Sequence, residues 1–306
     1  MKIKLRWTVA ALALVVVVAA ALLAAVFLWA TRDWDAFSRP EGVILTFEVD
    51  RESMFDGRPV DMLELIAAVD RRLGGRWRKQ AQVRHAGDER IEVVTFTTDP
   101  GQLRRIEGIV RTLGTLEFRI LANRQDHSAL IEQALKQEGR ALTDGAGELL
   151  AWWVPVATGR EEDFANAPEI ATRTRVRKGG ETLEVLVVKD IFDVTGQYVV
   201  SADPSVDQWG KPALLLTFNE PGGQLFGGLT GNNLPDEATG FSRKLGILLD
   251  GSLYSAPAIR STIFDRAEIT GDFTRQDVED LAQILNAGSL PAPLKPLGQR
   301  LADQED

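Results

Sequence analysis

The longest apolar stretch of the chain runs from Trp7 to Ala30, 24 residues in which Thr8 is the only polar side chain. As a helix rising about 1.5 Å per residue it would reach roughly 36 Å, enough to cross a hydrocarbon core of about 30 Å with some tilt. Hydrocarbon offers the backbone no partners, so a helix is the expected form of a single crossing. Trp7 and Trp29 stand near its two ends, where indole rings favour the headgroup layer. Lys2, Lys4 and Arg6 precede the run, whereas Arg32 follows it mixed with Asp33 and Asp35. The positive-inside rule therefore places residues 1–6 in the cytoplasm and the rest outside. A cleaved signal peptide has an apolar core of about 7–15 residues closed by small residues. This run is longer and ends in Phe27, Leu28 and Trp29, so residues 7–30 are expected to stay as an anchor. No second apolar run approaches it in length.

After a tether at residues 31–42, Val43, Leu45, Phe47 and Val49 alternate with more polar neighbours and predict a half-buried strand. Met62, Leu65, Ile66, Val69 and Leu73 follow at helical spacing and stop at Gly74-Gly75. Strands are expected around Gln80 to His85 and Arg90 to Thr97. Asp99-Pro100 then opens a helix whose apolar face is Leu103, Ile106, Val110 and Leu113. The segment GTLEFRIL (Gly114 to Leu121) closes the set, with Leu116, Phe118 and Ile120 on one face and Glu117 and Arg119 on the other. The order is β-α-β-β-α-β, a ferredoxin-like split βαβ unit over residues 43–121.

Beyond Leu121 the pattern is α+β again. A helix is expected at Ser128 to Glu138, strands at Leu149 to Val156 and Leu183 to Val188, and an acidic loop at Ala157 to Ala171. Ala213 to Asn219 is a strongly apolar strand, followed by a short, glycine-weakened helix near Gln224 to Leu229. Lys244 to Leu249 turns at Asp250-Gly251 into Ser252 to Ser255, a hairpin signal. Thr274 and Asp277 have capping-box spacing, Val278, Leu281, Ala282 and Leu285 form a core stripe, and Gly288 ends that helix. Residues 295–306 read as a polar tail.

Composition narrows the chemistry. The chain of 306 residues has no Cys and two His, His85 and His127. That excludes disulfides, Cys-ligated zinc, iron–sulfur clusters, a Cys nucleophile and a three-histidine metal site. After Arg6, 32 Lys and Arg face 44 Asp and Glu, so the body carries −12, and the acidic balance argues against an affinity for nucleic acid or anionic lipid spread over the surface. No phosphate loop, HExxH, GxSxG or calcium-loop spacing occurs. Gly222-Gly223 and Gly227-Gly228 lack the Lys of a phosphate cradle and read as local backbone flexibility. His85 and His127 read as surface or capping residues, and Glu161, Glu162 and Asp163 as a solvated cluster. Trp152-Trp153 either exposes one ring as an apolar contact surface or has both covered. Tyr254, Phe264 and Trp209 are candidates for an aromatic binding face, against the more frequent role of core packing. No catalytic, cofactor-binding or metal-ligating residue is expected, no motif marks polypeptide-contacting residues, and the chain is expected to be no enzyme.

Three stretches resemble SecD, the membrane subunit that assists the Sec translocation channel from the exported side. They are GTLEFRIL (Gly114 to Leu121), KLGILLDGSLYSAPAIRSTI (Lys244 to Ile263) and EITGDFTRQDVEDLAQILNAGSLPAP (Glu268 to Pro293). The resemblance implies a base subdomain beside the membrane (43–121, with a return at 289–294) and an inserted α+β head (122–288). It implies a single-pass protein of the bacterial inner membrane with its main domain periplasmic. Its partners would be the Sec channel, other membrane subunits and exported unfolded polypeptide, engaged by binding without a cofactor. The alternative is a membrane-tethered envelope scaffold or regulatory adaptor reusing the fold. Two features depart from the family: SRPEGVILTFEVD (Ser38 to Asp50) lacks the GLDLxGG signature, and Leu294 is followed by KPLGQRLADQED rather than further spans. Proton coupling is therefore expected from separate subunits.

Overall fold

The structure, a computed structural model, describes residues 42–54, 59–177, 180–192 and 194–302. The expected span at residues 7–30 lies outside them, and among the described residues no helix is long and apolar enough to cross a membrane. The described chain is α+β and richer in strand than in helix. In chain order it contains β1 (Val43–Val49), α1 (Met62–Arg72), β2 (Ala81–His85), β3 (Arg90–Thr95), α2 (Pro100–Arg111) and β4 (Leu116–Leu121). There follow α3 (Arg124–Lys136), β5 (Ala141–Thr143), β6 (Leu149–Pro155), α4 (Glu161–Ala165), β7 (Thr172–Arg177), β8 (Gly180–Val188) and β9 (Val194–Thr195). The remainder is β10 (Val199–Val206), β11 (Pro212–Phe218), α5 (Glu220–Gly231), β12 (Leu245–Leu249), β13 (Ser252–Ser255), β14 (Arg266–Ile269), α6 (Arg275–Ala287) and β15 (Leu294–Leu301).

Caps explain where the helices begin. The Asp61 carboxylate accepts from the Leu63 and Glu64 amides at 2.9 and 3.2 Å, and Asp99 from Gln102 at 2.7 Å. Thr274 and Asp277 cap α6 reciprocally.

The base is an antiparallel sheet of order β15-β1-β3-β2. Phe47 and Val49 of β1 and Ile91 and Val93 of β3 pack against Leu65, Val69, Ile106 and Val110 of α1 and α2. Two expectations fail here. GTLEFRIL does not close this sheet: β4 pairs with β12, β8 and β9 in a separate eight-stranded sheet, so the boundary drawn at residue 121 cuts through the head. The reason is burial on both faces. Leu116, Phe118 and Ile120 enter one core, while Arg119, expected on a polar face, is buried with its guanidinium 5.5 Å from the Trp152 ring and 2.6 Å from Glu117. The place beside β1 goes instead to β15, cut from the segment read as a polar tail. Pro296 and Gly298 disguise it, but an edge strand tolerates both, and its register shifts between Thr46 and Phe47 of β1.

The head joins two sheets. One has the order β10-β11-β14 and is covered by α5 and α6 around a cluster of Phe118, Phe218 and Phe226, whose ring centroids lie 4.7–5.6 Å apart. The other, β13-β12-β4-β8-β6-β5, curls back on itself: Val156, just past β6, bridges Leu253 of β13, and the Ala157 amide donates to the Leu253 carbonyl at 2.9 Å. The acidic stretch read as a loop contains the short helix α4, which buries Phe164.

Candidate functional site: the junction of base and head

Two segments cross between the subdomains, Thr112 to Thr115 on the way out and Gly288 to Leu290 on the way back. They are paired directly, the Leu290 amide donating to the Leu113 carbonyl at 2.8 Å. From the base side, Arg72 at the end of α1 is fully buried. Its guanidinium donates to the carbonyls of Ile109 (3.2 Å), Leu113 (2.7 Å), Gly288 (2.9 Å) and Thr112. Burial lowers its pKa to about 10, against which the nearby Asp250 carboxylate acts, so it remains a cation at neutral pH. From the head side, Asp250 in the β12–β13 turn accepts from the amides of Leu113 and Thr115, both at 2.8 Å, and its own amide donates to the Thr115 carbonyl at 2.9 Å. The crossing is thus held by a cation that takes its carbonyls and an anion that takes its amides. Gly114 has φ +79°, and a Cβ there would lie 2.5 Å from Arg72 Nη2 and 2.9 Å from Ile284 Cγ2. No other residue fits that position.

Helix α6 spans the junction. Val278 and Ala282 belong to the head core, Ile284 to the base core. Arg105 of α2 holds Asp280 with two hydrogen bonds of 2.9 and 2.7 Å. The Gln283 amide donates to the carbonyls of Arg72 and, at 3.2 Å, Gly74. Two clefts flank this joint. One, of about 460 Å³, lies between Thr115, Glu117, Gln197 and Ser289. The other, of about 300 Å³, lies between Arg105, Arg160, Tyr254 and Phe273.

The aromatic residues singled out by sequence do not converge on one face. Tyr254 is half-buried in the second cleft, where burial raises its phenol pKa and Arg160 sits 4.8 Å from the Phe273 ring. Phe264 is 54% exposed and lines a separate cleft between β11 and β14. Trp209, 74% exposed, occupies the β10–β11 turn, its amide bound to Asp207 at 2.9 Å. Trp153 is buried with its indole donating to the Ala134 carbonyl at 3.4 Å, and Trp152 is half-buried beside Arg119, so both rings of that pair are covered.

The glycine-rich stretch is a finding against the flexibility reading. It forms the close-packed helix α5, with Gly222 against Tyr198, Gly227 against the Phe264 ring and Gly228 against the Phe192 ring. His127 is half-buried at the start of α3, accepts the Asn123 amide at 3.3 Å, and has its pKa pushed down by burial. His85 is exposed at the end of β2. Glu161, Glu162 and Asp163 form the first turn of α4, with Glu161 accepting from Gly159 at 2.8 Å. Arg72, Asp250, Arg105 and Asp280 carry no local signal of their roles; only Asp250-Gly251 was marked, as a turn.

Comparison with known proteins bears on the same elements. Residues 169–292 match the model of the family described as SecDF, P1 head subdomain. Over 108 residues (35% of this chain and 20% of that protein) the sequence is 42% identical to the protein translocase subunit SecD of Aquifex aeolicus. Over 197 residues (64% and 31%) it is 36% identical to SecD of Magnetococcus marinus. The chain therefore matches about a third or less of the length of these relatives. Among solved structures, it resembles SecDF in a super-membrane-facing form, with a TM-score of 0.56 and 24% identity, covering 92% of this chain and 34% of that one. It also resembles a structure described as a membrane component SecDF that enhances protein export, with a TM-score of 0.52 and 22% identity, covering 84% of this chain and 99% of that one.

Proposed function

We propose that this chain carries a SecD-type periplasmic domain and serves protein translocation from the exported side of a membrane, a reading supported by the match of residues 169–292 to the head-subdomain family and by the similarity to SecD relatives. Residues 7–30 anchor it with residues 1–6 in the cytoplasm, and the described domain stands outside. It acts by binding exported polypeptide or the translocation machinery, without making or breaking a covalent bond. The base is a ferredoxin-like unit whose fourth strand is β15, returned to it after the head has been inserted between α2 and β15. A domain with this task has to hold chains of many sequences, which apolar clefts and strand edges do without side-chain readout.

The observation that carries the reading is the match of residues 169–292 to the SecDF head subdomain, which spans the Gly-rich helix α5, the β12–β13 hairpin and α6. The joint of Arg72, Asp250 and α6 fits a head whose orientation to the base matters, because every contact in it fixes that relation. The test is site-specific photocrosslinking from Tyr254 and from Phe264 in the full chain during export of a secretory substrate. Adducts with the substrate or with channel subunits are expected. Absence of both kinds overturns the translocation reading.

A further inference from the structure

A strand at the margin of a sheet leaves half of its backbone groups unpaired, and folded proteins either blunt such margins or use them. The edges of the head differ in this respect. β10 is sealed: the Asn286 side chain of α6 accepts from the Ala202 amide at 2.8 Å and donates to the Ala202 carbonyl at 2.7 Å, and two residues on, Pro204 has no N–H to offer. β5 runs for only 3 residues. β7 (TRTRVR) is 6 residues long, contains no proline and pairs with β8 alone. Its register fixes which groups are left over. The Leu186 amide donates to the Ala171 carbonyl at 3.0 Å, and β7 continues from there with Thr172 opposite Val185 and Arg173 opposite Glu184. Alternation then turns the backbone groups of Arg173 and Arg175 toward β8 and those of Thr172, Thr174 and Val176 outward. Among the described residues no hydrogen bond reaches the outward groups, and Thr174 and Val176 are exposed, the latter by 76%. The strand itself is held firmly: Arg173 meets Glu184 at 2.7 Å, donates to the carbonyls of Gln137 and Gly139 at 3.3 and 3.1 Å, and lies 4.4 Å from the Trp153 ring. At its Thr172 end the open margin runs into a cleft of about 370 Å³. Ile131 and the 51% exposed Leu135 of α3 wall it on one side, Ala167 and Ile170 after α4 on the other.

We infer that an extended polypeptide segment adds to the sheet along β7, between Val176 and Thr172, and sets an apolar side chain into this cleft. The chemistry of the edge names the occupant. Residues that offer N–H and C=O outward at intervals of two are matched by another backbone in extended form, with up to about six main-chain hydrogen bonds. Such pairing makes no demand on side-chain sequence, and the one cleft beside it adds a preference for an apolar residue without fixing the rest. The inference deepens the polypeptide-binding reading above and rests on it.

Proline at an outward position separates the fold from the binding. In Thr174→Pro the lost N–H bonds nothing within the molecule, so the fold is expected to persist, which circular dichroism checks, whereas an added strand loses its bond there. Thr174→Val changes the side chain and keeps the backbone. The full chain in detergent micelles is titrated against fluorescein-labelled α-lactalbumin, reduced and carboxymethylated so that it stays unfolded, and binding is read by fluorescence anisotropy. Thr174→Pro is expected to weaken binding roughly 10-fold, and Thr174→Val to leave it unchanged. In the unaltered chain, where no variant has to fold, hydrogen exchange at the Thr172, Thr174 and Val176 amides is expected to slow when the unfolded polypeptide is added. Binding that Thr174→Pro leaves intact, or that brings no protection to these three amides, overturns the β7 site while the polypeptide-binding reading stands. Absence of any binding overturns both. A dimer that Thr174→Pro dissociates in light scattering, with polypeptide binding unchanged, assigns the edge to a second copy and likewise overturns the inference.

Discussion

At the scale of single residues, the junction depends on Arg72 and Asp250 in different ways. Arg72 is buried and serves four backbone carbonyls, so its loss leaves several acceptors without partners in a dry site. Arg72→Met, which keeps most of the volume, is expected to destabilise by about 3 kcal/mol or more in urea unfolding. Asp250 adds a conformational demand: its φ is +51°, a left-handed value that Asn tolerates and Ala does not. Asp250→Asn should therefore lose only part of the amide contacts, about 1 kcal/mol. Asp250→Ala should lose all of them and add about 1–2 kcal/mol of backbone strain. Equal losses for the two variants would show that the side-chain contacts to Leu113 and Thr115 contribute little. None of this was legible in the sequence, where Arg72 is one of two arginines closing a helix and Asp250 is the ordinary first residue of a hairpin turn.

At the scale of elements, α5 separates two accounts of one sequence pattern. Glycines within a helix normally cost stability, so Gly→Ala at a merely flexible site should stabilise by up to about 1 kcal/mol. In the structure a Cβ on Gly227 would run into the Phe264 ring. Gly227→Ala is therefore expected to destabilise, by about 1–3 kcal/mol. Phe264→Ala in the same chain should recover part of that loss, a coupling that thermal unfolding of the two single variants and the double variant will measure. Other elements were hidden for the opposite reason. β10 contains Asp203-Pro204 and β15 contains Pro296 and Gly298, combinations that announce turns. Both are edge strands, where a missing amide hydrogen bond costs nothing. Apolar β11 and the β12–β13 hairpin, by contrast, were readable because interior strands need side chains that fit a buried pleat.

At the scale of the whole molecule, α6 makes base and head a single mechanical unit. It carries Val278 and Ala282 in the head core and Ile284 in the base core, and it binds α2 through Asp280. Ile284→Ala should cost about 2–5 kcal/mol as a large-to-small core change. Hydrogen exchange should then show faster opening in β1 and β3 of the base as well as in α6 and β11 of the head. Loss of protection confined to the head would mean that the two subdomains open independently.

Sequence by itself determined the α+β class, most helices and their caps, the apolar strands, the absence of any thiol chemistry and the segments that resemble SecD. These are local properties: periodicity, capping and composition act within a few residues. Tertiary structure decided which strand closes which sheet, and the reason is competition. β4 and β15 both satisfy the local rules for a partner of β1. β4, apolar on one face and carrying the paired Glu117 and Arg119 on the other, takes the doubly covered position in the head, leaving the more polar β15 for the edge. The same choice created the junction, because a chain that must leave the base after α2 and return to it at β15 crosses itself between Arg72 and Asp250.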